Sequence, residues 1–163
     1  NASQKAHMVK KIRTALGGSE SGKKIAVLGL TFKPETDDMR DAPALSILPP
    51  LLDKGAVIIG HDPQGVEEAK LLLPEAMQYC NDIYQTIDGA DAIVLMTEWN
   101  AYRGLQMDRV KQLMTGNVFI DYINNKLNVS PSHSEVGPPN PSLNKHFEKK
   151  MLAIQLSSMC FDV

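Results

Sequence analysis

The chain has 163 residues, 43% of them hydrophobic and 22% charged, with a formal net charge of −2. That length suits one globular domain, and the near-neutral balance excludes a broad basic field for nucleic acid or an anionic membrane surface. No apolar run approaches the roughly 20 residues of a membrane helix, and the two cysteines, Cys80 and Cys160, make neither a disulfide framework nor a C-x-x-C zinc pair.

The N-terminus carries no signal-peptide core, and the sparse cysteines make a reducing cytoplasm the expected compartment. "NASQKAH" has no apolar periodicity and reads as a leader, or as the cut end of a longer protein. "MVKKIRTALGG" reads as the end of a helix, with Val9, Ile12 and Leu16 on one face and Gly17-Gly18 as the stop. Such a helix is too short to stand alone and is expected to continue from something N-terminal to it.

"KKIAVLGL" is apolar on both faces, as expected of a strand covered on both sides in a parallel sheet. It runs into a loop dense in charge, "TFKPETDDMRD". "DAPALSILPPLLDKGA" then predicts a helix capped by Asp41, with Pro43 in the first turn, Gly55 at the end and a kink or split at Pro49-Pro50. "AVIIGHDP" is a second strand and "PQGVEEAKLLLP" a short amphipathic helix. "AMQYC" is a weak strand, and "NDIYQTIDGA" a helix capped by Asn81 or Asp82. "DAIVLMTEW" is a third strong strand, "LQMDRVKQLM" a helix and "NVFIDY" a last strand.

Strands alternating with helices over short loops predict an α/β protein, a Rossmann-like doubly wound parallel sheet in three layers. After Asn125 the sequence turns rich in Pro, Ser and Asn and loses its period. The chain divides into three segments. Residues 1–22 are a leader and the end of an interdomain helix, 23–125 the Rossmann-like domain, and 126–163 an irregular tail in which "MLAIQLSSMCF" reads as a short docking helix.

In an open α/β sheet, ligands bind outside the carboxyl ends of the strands, which is where the charged loop lies. The fingerprint G-x-G-x-x-G is absent, because Leu30, Thr31 and Phe32 follow Gly29, and the Walker A loop is absent too. A phosphorylated ligand would have to be held by side chains, with Lys33 and Arg40 as the cations and the neighbouring carboxylates holding them. A solvated loop with weak surface ion pairs accounts for the same residues. Asp62 stands where a dinucleotide fold places its ribose acid, but capping the helix that opens at Pro63 is the plainer reading. Trp99 could stack on a base, but packing at a domain or subunit contact is the plainer expectation, and Cys80 is expected to be a buried structural thiol. The four histidines are scattered, and no metal site is expected.

"KIAVLGLTFKPETDDMRDAPAL", followed by "GHDP", "DGADAIVLMTEW" and "VFID", resembles the C-terminal, UDP-binding domain of the UDP-glucose 6-dehydrogenase family. That family also holds UDP-N-acetylmannosamine and GDP-mannose dehydrogenases. The resemblance runs from about Val9 to Asp121 and implies an enzyme that oxidises C6 of a nucleotide sugar to a carboxylate in two NAD-dependent steps. It implies partners as well: a UDP-sugar, the enzyme's own N-terminal NAD-binding and central domains, and other subunits, since family members are dimers or larger. Phe32 and Lys33 match the loop at the UDP-sugar site. Arg40 matches the arginine that reaches toward the NAD pyrophosphate. Asp37, Asp38 and Asp41 would support those cations or cap. The family's catalytic cysteine lies in a G-G-x-C-[FL] context that neither Cys80 nor Cys160 has, so no catalytic residue is carried over and the chain alone is expected to be inactive. After the last strand the family carries an arginine on the UDP side, where this chain has Ile123. The same domain in a dehydrogenase of another nucleotide sugar, or a module that binds a nucleotide without chemistry, remain the alternatives.

Overall fold

The structure is a computed structural model that describes residues 2–123 and the backbone of 126–128. Expectations for the remaining tail, including its docking helix, Cys160, His133 and His146, fall outside the described residues.

The strands are β1 (Lys24–Leu28), β2 (Val57–His61), β3 (Gln78–Tyr79), β4 (Ala92–Leu95), β5 (Val118–Asp121) and β6 (Lys126–Asn128). They form one sheet in the order β3-β2-β1-β4-β5-β6. The first five are parallel, and β6 adds an antiparallel edge beyond the composition boundary at 125. The helices are α1 (Ala2–Ala15), α2 (Ala44–Asp53), α3 (Val66–Leu72), α4 (Ile83–Ile87) and α5 (Met107–Leu113), with a 3-10 turn at Asn100–Tyr102.

The period of two along each strand produces the layers. Ile25, Val27, Ile58, Ala92, Val94 and Ile120 face one way and bury against α1, α2 and α3. Ala26, Leu28, Ile93, Leu95 and Phe119 face the other way, against α4, α5 and the Trp99–Tyr102 segment. The three-layer α/β architecture arises because every central strand carries apolar side chains on both faces. Arg13 pins the end of α1 to the turn before β1: its guanidinium donates to the buried carboxylate of Glu20 at 2.7 and 2.8 Å. That bond holds Glu20 below the usual carboxylate range.

Three local expectations change and one is borne out. Helix α1 reaches back to Ala2, through the stretch read as leader. Asp41 does not cap α2, because it adopts a left-handed backbone (φ 58°) instead of the extended one an N-cap residue takes. The residue before α2 is Pro43, in right-handed geometry. Pro49 and Pro50 lie inside one continuous α2 rather than splitting it. Each removes a helical N–H, but Ile47, Leu48 and Leu51 are fully buried, and that burial outweighs the loss. Asp82 does cap α4, accepting from Gln85 N at 2.8 Å.

Candidate functional site

The strand order reverses direction between β1 and β4, and the loops that leave these strands diverge to opposite faces of the sheet. Two residues keep the loops together at their roots. Gly29 has φ 90°, and a Cβ there would lie 2.4 Å from the Thr97 Cβ and 2.6 Å from its backbone nitrogen. Only glycine fits both the conformation and the space. Two residues on, the Thr97 hydroxyl donates to the Thr31 carbonyl at 2.6 Å.

Asp62 comes directly after β2 and is 5% exposed. Its Oδ2 accepts from Leu30 N at 2.8 Å, Thr31 N at 3.1 Å and Trp99 Nε1 at 3.3 Å, with the Thr31 hydroxyl at 3.2 Å. Its Oδ1 accepts from Gln64 N at 3.0 Å and Gly65 N at 2.7 Å. A buried carboxylate is tolerated only with such saturation. Asp62 is therefore neither a free ribose acid nor the cap of α3, whose N-cap is Gly65. It closes an Asx turn before α3 and ties that turn to the loops after β1 and β4. Trp99, expected at a domain or subunit contact, is instead 4% exposed and packs inside this domain.

The charged loop runs from this anchor. Phe32 N donates to the Asp38 carbonyl at 3.0 Å, which closes the loop on itself. Thr36 Oγ1 accepts from Asp38 N at 3.1 Å. Glu35 and Asp41 are both left-handed (φ 63° and 58°), the two non-glycine residues in that conformation among those described. Arg40 donates from Nε and a terminal nitrogen to the two Asp38 oxygens at 3.0 and 2.8 Å. This fork holds the Asp38 carboxyl down at about 2.

Phe32, Lys33 and Arg40 all lie on the exposed side of the loop. Phe32 is 54% exposed and presents an apolar ring on that side of the loop. Arg40 lines an open groove with Asp38, Met39, Glu68 and Leu72. Phe32 and Lys33 stand outside that groove, so the loop presents two separate faces. Ile123 is 39% exposed just beyond β5, and Glu98 pairs with Arg103 at 3.5 Å beyond β4.

Other expectations away from the loop also change. Cys80 is half-buried with its thiol 3.7 Å from Gln85 Oε1, because it leaves the end of β3, a two-residue edge strand that offers it little cover. A buried pair escaped the sequence reading. His61 Nδ1 lies 2.9 Å from the Tyr102 hydroxyl, which donates to the His61 carbonyl at 3.0 Å. Burial lowers the His61 pKa and raises that of Tyr102.

Residues 26–126 match the model of the UDP-glucose/GDP-mannose dehydrogenase family, UDP binding domain. The chain is 46% identical over 124 residues to a UDP-glucose 6-dehydrogenase of Rhizobium meliloti, covering 76% of this chain and 28% of that protein. It is 40% identical over 121 residues to the UDP-glucose 6-dehydrogenase TuaD of Bacillus subtilis, covering 74% and 26%. Among solved structures, a UDP-glucose dehydrogenase from Pyrobaculum islandicum superposes with a TM-score of 0.64 at 30% identity, over 80% of this chain and 28% of that one. The chain thus spans little more than a quarter of the length of these relatives.

Proposed function

The chain belongs to the UDP-glucose/GDP-mannose dehydrogenase family through its UDP binding domain, and from that premise we propose that it is the nucleotide-sugar-binding part of an NAD-dependent UDP-glucose 6-dehydrogenase. The carrying observation is the exposed pair Phe32 and Lys33 at the root of the β1 loop, beside the point where the strand order reverses. Lys33 forms no ion pair among the described residues, so its ammonium is available to a diphosphate. Phe32 offers an apolar surface next to it, suited to a base or a sugar ring.

The rest of such an enzyme would supply the catalytic cysteine and most of the NAD site. Bound NAD would accept the hydride in each of the two oxidations. The described residues do not form a second dinucleotide cradle: the turn after β1 lacks the glycine fingerprint, and the Asp62 carboxylate is saturated by protein donors. Arg40, oriented by Asp38 on the groove side of the loop, is the one contact we assign toward the cofactor. The exclusion of water and the chemistry itself fall to the other domains, as does assembly into a homo-oligomer, with a cytoplasmic setting for the whole.

Calorimetric titration with UDP, UDP-glucose, UDP-N-acetylmannosamine and GDP tests the reading. Binding of UDP and UDP-glucose in preference to GDP supports it. A folded chain that binds GDP but not UDP would move the protein to another branch of the family.

A further inference from the structure

We infer that Asp62 is a positioning residue for the nucleotide site: a single buried carboxylate that fixes the charged loop at its root and so presents Phe32 and Lys33 in one geometry. The ligand half of this inference rests on the function proposed above. The mechanical half does not.

The geometry is a short relay. Asp62 Oδ2 takes the amides of Leu30 and Thr31, the last residues before the ligand-facing pair. The Thr31 hydroxyl lies 3.2 Å from that oxygen and 3.0 Å from the Lys33 carbonyl and shares its one proton between them, so it touches the backbone on either side of Phe32. The Thr31 methyl fills the space over Gly65, where a Cβ would lie 2.3 Å away, and locks the turn that Asp62 Oδ1 closes. The Thr31 carbonyl takes the Thr97 hydroxyl from the loop after β4. Phe32 N then reaches the Asp38 carbonyl, and Asp38 orients Arg40. No hydrogen bond or ion pair joins Asp62 to Lys33 or Arg40. Its action passes through Thr31, which stands between the anchor and the two residues it presents.

This arrangement replaces what a glycine fingerprint does elsewhere. Where backbone N–H groups cradle the phosphate, the ligand itself holds the loop. Here the N–H groups of Leu30 and Thr31 are consumed by Asp62. These bonds hold the loop without a ligand, and side chains are left to meet the phosphate. Preorganisation of this kind improves affinity by removing the ordering cost at binding.

The test uses the chain itself. Thr31→Val removes the hydroxyl and keeps the branched methyl over Gly65, whereas Thr31→Ser keeps the hydroxyl. Thr31→Val should speed hydrogen exchange at the Phe32 amide about tenfold, through local opening of the loop, with the β1 and β4 amides unchanged. UDP affinity should fall about tenfold as the presented geometry loosens. Thr31→Ser should restore both, which loss of packing alone would not allow. Asp62→Asn should act more strongly and shift the emission of Trp99, the sole tryptophan. Should that variant misfold, the Thr31 pair still decides. Unchanged exchange at Phe32 in Thr31→Val overturns the inference. So does unchanged UDP affinity in a variant whose loop has loosened. Failure of the unaltered chain to bind UDP would instead overturn the proposed function and the ligand half with it, leaving the exchange result to judge the loop.

Discussion

The indole N–H of Trp99 donates to Asp62 Oδ2 at 3.3 Å, joining the segment after β4 to the end of β2 across the end of β1, which lies between them. Both groups are buried, so neither has water as a substitute partner. Trp99→Phe keeps most of the ring in the core and removes one donor. It should lower stability by about 1 kcal/mol, read by chemical denaturation, because four backbone amides still satisfy the carboxylate. A loss several times larger would mean that the indole's shape, rather than its N–H, holds the three loops.

Gly29→Ala should be the more damaging change. The left-handed backbone disfavours alanine by roughly 1–2 kcal/mol. The new Cβ would also meet Thr97 at 2.4 Å, with backbone behind it. Forced repacking commonly adds about 1–3 kcal/mol. Denaturant midpoints of the two proteins give the sum directly, and a neutral result would show that the roots of the β1 and β4 loops are not in contact.

Lys33→Ala and Arg40→Ala should separate. Lys33→Ala should weaken UDP binding about tenfold with little change in melting temperature, since its ammonium forms no ion pair among the described residues. Arg40→Ala should leave UDP affinity within about twofold and raise the NAD KM of the complete enzyme, as expected of an interaction made with the cofactor. Equal losses of UDP affinity in both variants would merge the two faces of the loop into one site.

His61 should make stability fall on acidification. Burial keeps its pKa below the ordinary value of 6.5 in the folded chain. Below about pH 6.5 the unfolded chain therefore binds a proton that the fold refuses, and protons favour unfolding. The contribution is present above pH 6.5 and declines as pH falls, by at most about 1.4 kcal/mol per pH unit. Denaturation of the unaltered chain and of His61→Gln from pH 7.5 to 5.5 isolates the effect from the other histidines. Parallel curves would mean that His61 titrates normally.

Asp38 should resist acid. Its carboxyl is held at about 2 by the Arg40 fork, so the pair persists below the pH at which an ordinary aspartate protonates. Because the folded value is the depressed one, the pair's contribution to the loop is complete above about pH 4 and disappears as pH falls toward 2. Carboxyl-carbon NMR titration should place the Asp38 midpoint well below those of exposed aspartates, and Arg40→Ala should raise it toward their range but not fully into it, because the backbone N–H of residue 40 still donates to Oδ1.

The regular elements were legible in the sequence because their causes are local. Apolar residues on both faces of "KIAVL" and "AIVL" announce strands sandwiched between helices, and the Asp82 cap lies beside the helix it starts. The charged loop stood out for the same reason, as a run of residues whose chemistry is visible without neighbours. The misreadings have a common source. Asp41 looked like a cap by position, but the loop needed a left-handed turn there. Pro49 and Pro50 looked like breakers, but the buried face of α2 overrode them.

The alternation of strands and helices, the family and the residues that crowd the first loop are all written in the order of the amino acids. The roles of Asp62, Trp99 and His61 are not, because they emerge when distant segments meet in the fold. Asp62 meets Thr31 across 31 positions and Trp99 across 37, and His61 meets Tyr102 across 41. Such partners are chosen by the lateral order of the strands, which places the ends of β2 and β4 on either side of β1. Burial then removes water as an alternative and makes each of those bonds obligatory.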